Sequence, residues 1–87
     1  MPTVWVPALL RPLTGGRATL PAAGSTVAEV IDDLETRHPG LKARLVVGDR
    51  LQPGLAVVVD GETSILKLRQ PLGETSDVHF VVTISGG

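Results

Sequence analysis

The chain has 87 residues, no cysteine, and eight Lys/Arg against nine Asp/Glu, for a net charge of -1. Those figures exclude a disulfide framework, a Cys-based zinc or iron–sulfur site and a thiol nucleophile. They also argue against nucleic-acid binding by phosphate neutralisation. Hydrophobic residues make up 43%, yet Trp5 and Phe80 are the only aromatics, so a single small domain over residues 1–87 must rest on an aliphatic core.

In chain order, Pro2, Pro7, Arg11 and Pro12 interrupt the apolar run that a secretory signal needs. No run approaches the length of a membrane span. The expectation is a cytoplasmic protein with no membrane partner. Residues 3–10, TVWVPALL, read as a first strand, with Pro7 marking an edge or a bulge. Residues 11–16, RPLTGG, are a turn, and 17–20, RATL, return as a second strand. Gly15-Gly16 supplies the positive φ values of a tight connection, so hairpin geometry accounts for this pair.

Thr26-Val27-Ala28-Glu29 fits a capping box, with Thr26 as N-cap and Glu29 reaching back to the Thr26 amide. Val27, Val30, Ile31 and Leu34 follow at helical spacing, and burying those four side chains contributes about 6–12 kcal/mol before chain entropy. Asp32, Asp33, Glu35 and Arg37 lie off that stripe and read as a solvated face rather than as paired catalytic carboxylates. Pro39-Gly40 ends the helix. A helix this short needs a sheet beneath it. Residues 41–47, LKARLVV, fit either a turn of helix or a brief strand. Residues 48–54 are loop, and 55–59, LAVVV, form a near-continuous apolar strand expected to be central and covered on both faces. Asp60-Gly61 is a turn. Residues 63–72 carry no clear pattern up to Pro71, and 73–77 turn the chain into a last strand over residues 78–84.

Strand, strand, helix, then further strands give an α+β chain. The order describes a β-grasp (ubiquitin-like) fold: a mixed sheet of four to five strands with one main helix on one face, the first and last strands pairing in parallel at its centre. His38 and His79 are the only histidines, and nothing resembles a phosphate-binding glycine loop. The chain therefore reads as something an enzyme acts on, not as an enzyme, with no metal site.

The sequence closes on VTISGG, and residues 85–87 read as a flexible tail beyond the last strand. An enzyme that transfers a protein's terminal carboxylate onto a nucleotide must thread that terminus into a buried pocket. Glycine offers clearance there and accepts backbone angles closed to other residues. The cost is ordering two free residues, about 1–2 kcal/mol each.

Element order, the strand DVHFVVTISGG and the final Gly-Gly resemble the ThiS/MoaD family of ubiquitin-like sulfur carriers over essentially the whole chain. LLRPLTGG followed by STVAEVIDDLETRHPGL looks most like the CysO-type carriers of cysteine biosynthesis. GETSDVHFVV resembles the family's Gly-Asp-x-Val turn before the final strand, here longer. The resemblance implies that an E1-like adenylyltransferase of the MoeB/ThiF type uses ATP and magnesium to adenylate Gly87. A sulfur donor, such as a sulfurtransferase, then leaves a C-terminal thiocarboxylate for a sulfur-accepting biosynthetic enzyme. Gly87 carries the reactive carbonyl, Gly86 gives clearance and Ser85 begins the tail. Cysteine, thiamine thiazole, molybdopterin, thiolated tRNA and natural products are all open as destinations. Two other readings stay open: a ubiquitin-like modifier conjugated through Gly87 to target lysines, and a β-grasp binding module without C-terminal chemistry. Lys42 and Lys67 are the only lysines, which limits self-chaining.

Strand alternation places Val78, Phe80, Val82 and Ile84 on the helix side with Val4, Val6 and Ala8. It leaves Trp5 and Val81 on the open side as an apolar patch expected to dock the activating enzyme. His79 reads as a surface residue. Arg11 and Arg17 are either solvated or reach an acidic groove on a partner.

Overall fold

The computed structural model describes residues 1–82. The chain runs β1 (Thr3–Trp5), a 3-10 helix (Ala8–Thr14), β2 (Thr19–Pro21), α1 (Val27–Arg37), α2 (Leu41–Leu45), β3 (Val46–Val47), β4 (Arg50–Leu51), β5 (Leu55–Val59), β6 (Glu62–Thr63), a second 3-10 helix (Lys67–Arg69) and β7 (Asp77–Val82). Five strands form one sheet in the order β2-β1-β7-β5-β6, and β3 and β4 make a separate hairpin. β1 and β7 pair in parallel, Val4 opposite Val78, while β2 and β5 flank them antiparallel. This is the β-grasp expected from the order of elements.

The first strand is shorter than expected. Val6 makes its last rung, its N–H donating to the Ala18 carbonyl at 2.8 Å. Pro7 has no N–H to continue the ladder, and the chain coils into the 3-10 helix instead. Ala8, expected to point inward, is therefore exposed. The helix ends on Gly15 at φ 67, followed by Gly16 at φ 85, so the double glycine does serve backbone geometry. The buried Thr14 hydroxyl braces the turn, 3.0 Å from the Arg11 carbonyl and 2.9 Å from that of Arg17.

α1 spans the expected residues, but its cap differs in detail. Thr26 Oγ1 accepts from the Glu29 N–H at 3.2 Å as a capping box requires. The Glu29 carboxylate, however, accepts from the N–H and hydroxyl of Ser25 (2.8 and 2.9 Å), one residue further out than expected. Thr26 bridges to Pro71 through its neighbours, the Val27 N–H donating to the Gln70 carbonyl at 3.1 Å and the Leu72 N–H to the Ser25 carbonyl at 2.8 Å. The other acids of α1 are structural ties rather than a merely solvated face. Asp33 accepts from the Ala23 N–H (2.9 Å) and from Arg37 (2.7 Å). Glu35 accepts from the Lys42 and Gly40 N–H groups (2.8 and 3.1 Å), and Asp32 pairs with Lys42 Nζ at 2.6 Å.

Residues 41–47 contain both candidate structures in succession, α2 and then β3. Leu41 and Leu45 are buried on one side of α2, and the N–H of Gln52 donates to the Leu45 carbonyl. β5 lies second from the sheet edge and is covered on one face only. Val57 and Val59 are buried, whereas Ala56 and Val58 on the other face are half-exposed, because α1 packs on a single side; Leu55, on the helix side, packs against the margin of the core. Asp60-Gly61, at φ 50 and 86, makes the tight turn into β6. In the core Val27, Val30, Ile31 and Leu34 of α1 meet Val4, Val6, Leu20, Val57, Val78 and Phe80 of the sheet.

Gly24 adopts φ 155, and a Cβ there would lie 2.8 Å from the Glu29 Cβ and from the Val30 amide nitrogen, whereas a Cβ on Gly15 meets open space. Gly15→Ala should cost only its left-handed backbone, about 1–2 kcal/mol. Gly24→Ala, which adds a collision with α1, should cost more, as read from urea denaturation midpoints. Hydrogen bonds hold three carboxylates below their ordinary values: Glu29 through the Ser25 N–H and then its hydroxyl, Asp33 through the Ala23 N–H and then Arg37, and Glu35 through the N–H groups of Lys42 and Gly40. A depressed folded-state value contributes stability that is present above the unfolded value and lost as pH falls through the folded one. The denaturation midpoint should therefore drop as pH falls through and below 4.5 and 3.8. Glu29→Gln should make that acid limb shallower.

Candidate functional site

The candidate site is the uncovered face of the sheet together with the end at which β7 points. Because β1 and β7 are parallel and adjacent, both chains run toward one end, and residues 83–87 follow Val82 there in sequence. Thr83 and Ile84, expected to complete the last strand, and Ser85, Gly86 and Gly87 lie outside the described residues.

Register sets the open face in rows across the strands. One row runs Thr19, Trp5, His79, Val58, Thr63; the next toward the end of β7 pairs Val81 with Ala56. Trp5 and Val81 both stand on this face, 41% and 42% exposed. Between them in register sits His79, whose ring stacks on the Trp5 indole with centroids 4.9 Å apart and planes inclined by 9°. Trp5 Nε1 donates weakly to Asp77 Oδ1 at 3.4 Å. The indole is thus held from two sides, an apolar surface with little rotamer freedom left to lose on contact.

His79 is the member of this face that strand alternation alone did not single out. Its stacking depends on the Trp5–His79 register, which is a property of the pairing of two strands more than 70 residues apart in sequence. Val82, expected to turn inward, is 62% exposed. It pairs with Leu55 at the margin of the sheet, and α1 does not cover it. Among the described residues no cluster of three or more His, Asp or Glu is placed to hold a metal ion. No helix among the described residues is long and apolar enough to cross a membrane.

Surface cavities among the described residues include one lined by residues of β5, β6 and the segment 64–76, one by the β3–β4 hairpin and residues 65–69, and one by α1, α2 and Leu68. The first reaches Thr63 at the edge of the open face, and none of these three is lined by Trp5, His79 or Val81.

Comparison with known proteins gives one family and a consistent set of folds. The sequence profile of the ThiS family matches residues 4–87. The sulfur carrier protein CysO of Mycobacterium tuberculosis, and that of Mycobacterium bovis, is 44% identical over 52 residues. That segment covers 60% of this chain and 54% of the relative, so the alignment spans about half the length of either protein. In a crystal structure of the Amycolatopsis orientalis BexX/CysO complex, one chain matches with a TM-score of 0.91 and 36% identity, covering 100% of both chains. The crystal structure of M. tuberculosis CysO matches with a TM-score of 0.89 and 29% identity, covering 97% of this chain and 100% of that one. The small archaeal modifier protein 1 of Methanosarcina acetivorans, at 24% identity and a TM-score of 0.77 over 99% of this chain and 95% of that one, shares the fold.

The stacked pair gives a test of the face itself. A double-mutant cycle of Trp5→Ala and His79→Ala, followed by urea denaturation, should give a coupling of about 0.5–1 kcal/mol. Simple additivity would mean that the rings do not support one another.

Proposed function

Since the chain belongs to the ThiS family, we propose that it is a sulfur carrier of the CysO kind, a protein substrate rather than an enzyme, whose working group is the Gly87 carboxylate. What carries this reading is the whole-length likeness to a CysO chain together with the closing Ser85-Gly86-Gly87. A likeness confined to the fold would serve many unrelated functions.

The carboxylate is a poor electrophile and is activated on a nucleotide. In an E1-like adenylyltransferase of the MoeB/ThiF type, a Gly87 oxygen attacks the α-phosphorus of magnesium-bound ATP; the acyl-adenylate forms and pyrophosphate leaves. A hydrosulfide equivalent, delivered by a sulfurtransferase, adds to the Gly87 carbonyl carbon and expels AMP, leaving the C-terminal thiocarboxylate. Its sulfur is anionic near neutral pH and is the nucleophile in the acceptor enzyme. This chain contributes main chain only: Gly87 is the reacting residue, and Gly86 and Ser85 let the tail thread a narrow passage. The complex formed by the Amycolatopsis relative with BexX supports a second partner, a biosynthetic enzyme that accepts the sulfur. The identity to mycobacterial CysO favours cysteine biosynthesis or a specialised route as the destination.

The face built on Trp5 and Val81 docks the activating enzyme. A half-exposed aromatic held in one orientation is the kind of anchor that interfaces use.

Intact-mass spectrometry of the protein incubated with its activating enzyme, ATP, magnesium and a sulfide source tests both statements. The full chain should gain AMP and then the mass of sulfur in place of oxygen, and removal of Gly87 should abolish both changes. Trp5→Asp, with folding checked by circular dichroism, should raise the KM for the carrier about tenfold. Adenylation of the variant lacking Gly87, or isopeptide-linked Gly-Gly remnants on other proteins in place of thiocarboxylate, would overturn the carrier assignment.

A further inference from the structure

Acidic residues are unevenly placed along this chain, and the fold turns that unevenness into a polarity. The first Asp or Glu is Glu29, and residues 39–48, 51–59 and 78–87 also contain none. Topology brings one part of each of these stretches to the same end. The 3-10 helix and the Gly15-Gly16-Arg17 turn lie where β1 ends, and β1 runs parallel to β7. α2 packs against that 3-10 helix. Leu55, at the start of β5, pairs with Val82 at the end of β7, bringing the preceding loop to the same place.

Three arginines stand on this end: Arg11, Arg17 and Arg44. Arg11 is half-buried, and its Nε donates to the Val6 carbonyl at 3.3 Å, which fixes the guanidinium at the end of β1. Arg17 and Arg44 are exposed and make no ion pair among the described residues. Lys42 is neutralised by Asp32, and Glu35 accepts two main-chain amides beneath α2. The acids at the opposite end are Asp60 and Glu62 in the β5–β6 hairpin, with Glu74 and Asp77 where the chain enters β7. That end is tied together by the Asp77 N–H donating to Asp60 Oδ1 at 2.9 Å. A chain of net charge -1 thus presents a cationic end in the direction in which β7 points.

We propose that this end, with Arg17 and Arg44 exposed and Arg11 fixed behind them, docks against an acidic rim around the entrance through which the activating enzyme takes the carrier's terminus. The proposal rests on the carrier reading above and adds the chemistry of the partner's surface. A cationic end leading a near-neutral protein orients it before contact, so that the terminus arrives first. Such steering raises the association rate and fades with ionic strength. This contact is separate from the Trp5 face, which lies on the flat of the sheet rather than at its end.

The test is steady-state adenylation by the activating enzyme of the same organism, followed by pyrophosphate release over a range of sodium chloride concentrations. Arg17→Glu/Arg44→Glu should raise the KM for the carrier by at least about tenfold at low salt. The difference should shrink toward parity as screening reduces the Debye length to about 3 Å near 1 M. Thr75→Glu adds a negative charge at an exposed residue where the chain enters β7, at the opposite end, and should leave KM unaltered. Arg17→Lys/Arg44→Lys should restore most of the loss. A KM indifferent to both salt and the double reversal, with adenylation intact, would overturn this proposal alone. An equal effect from Thr75→Glu would overturn it in favour of net charge. Failure of the unaltered chain to be adenylated at all would remove the carrier reading and this proposal with it.

Discussion

The parallel pairing of β1 with β7 is the constraint on which the rest of the molecule hangs. It joins residues near the two ends of the sequence, Val4 to Val78 and Trp5 to His79, at the centre of the sheet. A parallel pair cannot be closed by a tight turn, so everything between must serve as the crossover. The crossover carries α1, whose apolar stripe covers one face and leaves the other bare. From this single pairing follow the direction in which the main chain leaves β7, the stacking of the Trp5 and His79 rings, and the meeting of one part of each acid-free segment at the same end.

α1 is held over the sheet by more than its apolar stripe. Glu29, Asp33 and Glu35 each accept main-chain N–H groups from loops that would otherwise leave those donors without a protein partner. Each exposed hydrogen bond contributes little by itself, but charge-assisted acceptance of an amide is stronger than a neutral bond. Together they set the path of residues 23–25 before α1 and 40–42 after it. The close approach of Gly24 to Glu29 and Val30 belongs to the same junction. A small domain with few aromatics and no cysteine gains definition from such ties where its core alone is modest.

On the carrier reading proposed above, the work is divided between a scaffold that does no chemistry and a terminus that does all of it. The stiff sheet confines the entropy cost of threading to the last few residues. The proposed docking on the Trp5 face would order little that was free, because the His79 ring and Asp77 already hold the indole.

Much of this was legible in the residues themselves. The capping signal at Thr26, the 3.6-residue spacing of Val27, Val30, Ile31 and Leu34, and the Pro39-Gly40 stop set α1 to the residue, because they are local and act within one or two turns. The Asp60-Gly61 turn and the positive φ of Gly15-Gly16 were readable for the same reason, and the order of elements was enough for the β-grasp. What the sequence could not show was anything settled by a distant neighbour. The Thr26 position bridges to Pro71, and Glu29 bonds to Ser25. Pro7 diverts the first strand into a 3-10 helix that packs on α2. β5 keeps one face half-open because only one helix lies on the sheet, and His79 finds Trp5 only through strand register. Local order was written in side-chain size, spacing and backbone freedom. Which face stays bare, which rings meet and which charges share an end were decided only when strands far apart in sequence came to lie side by side.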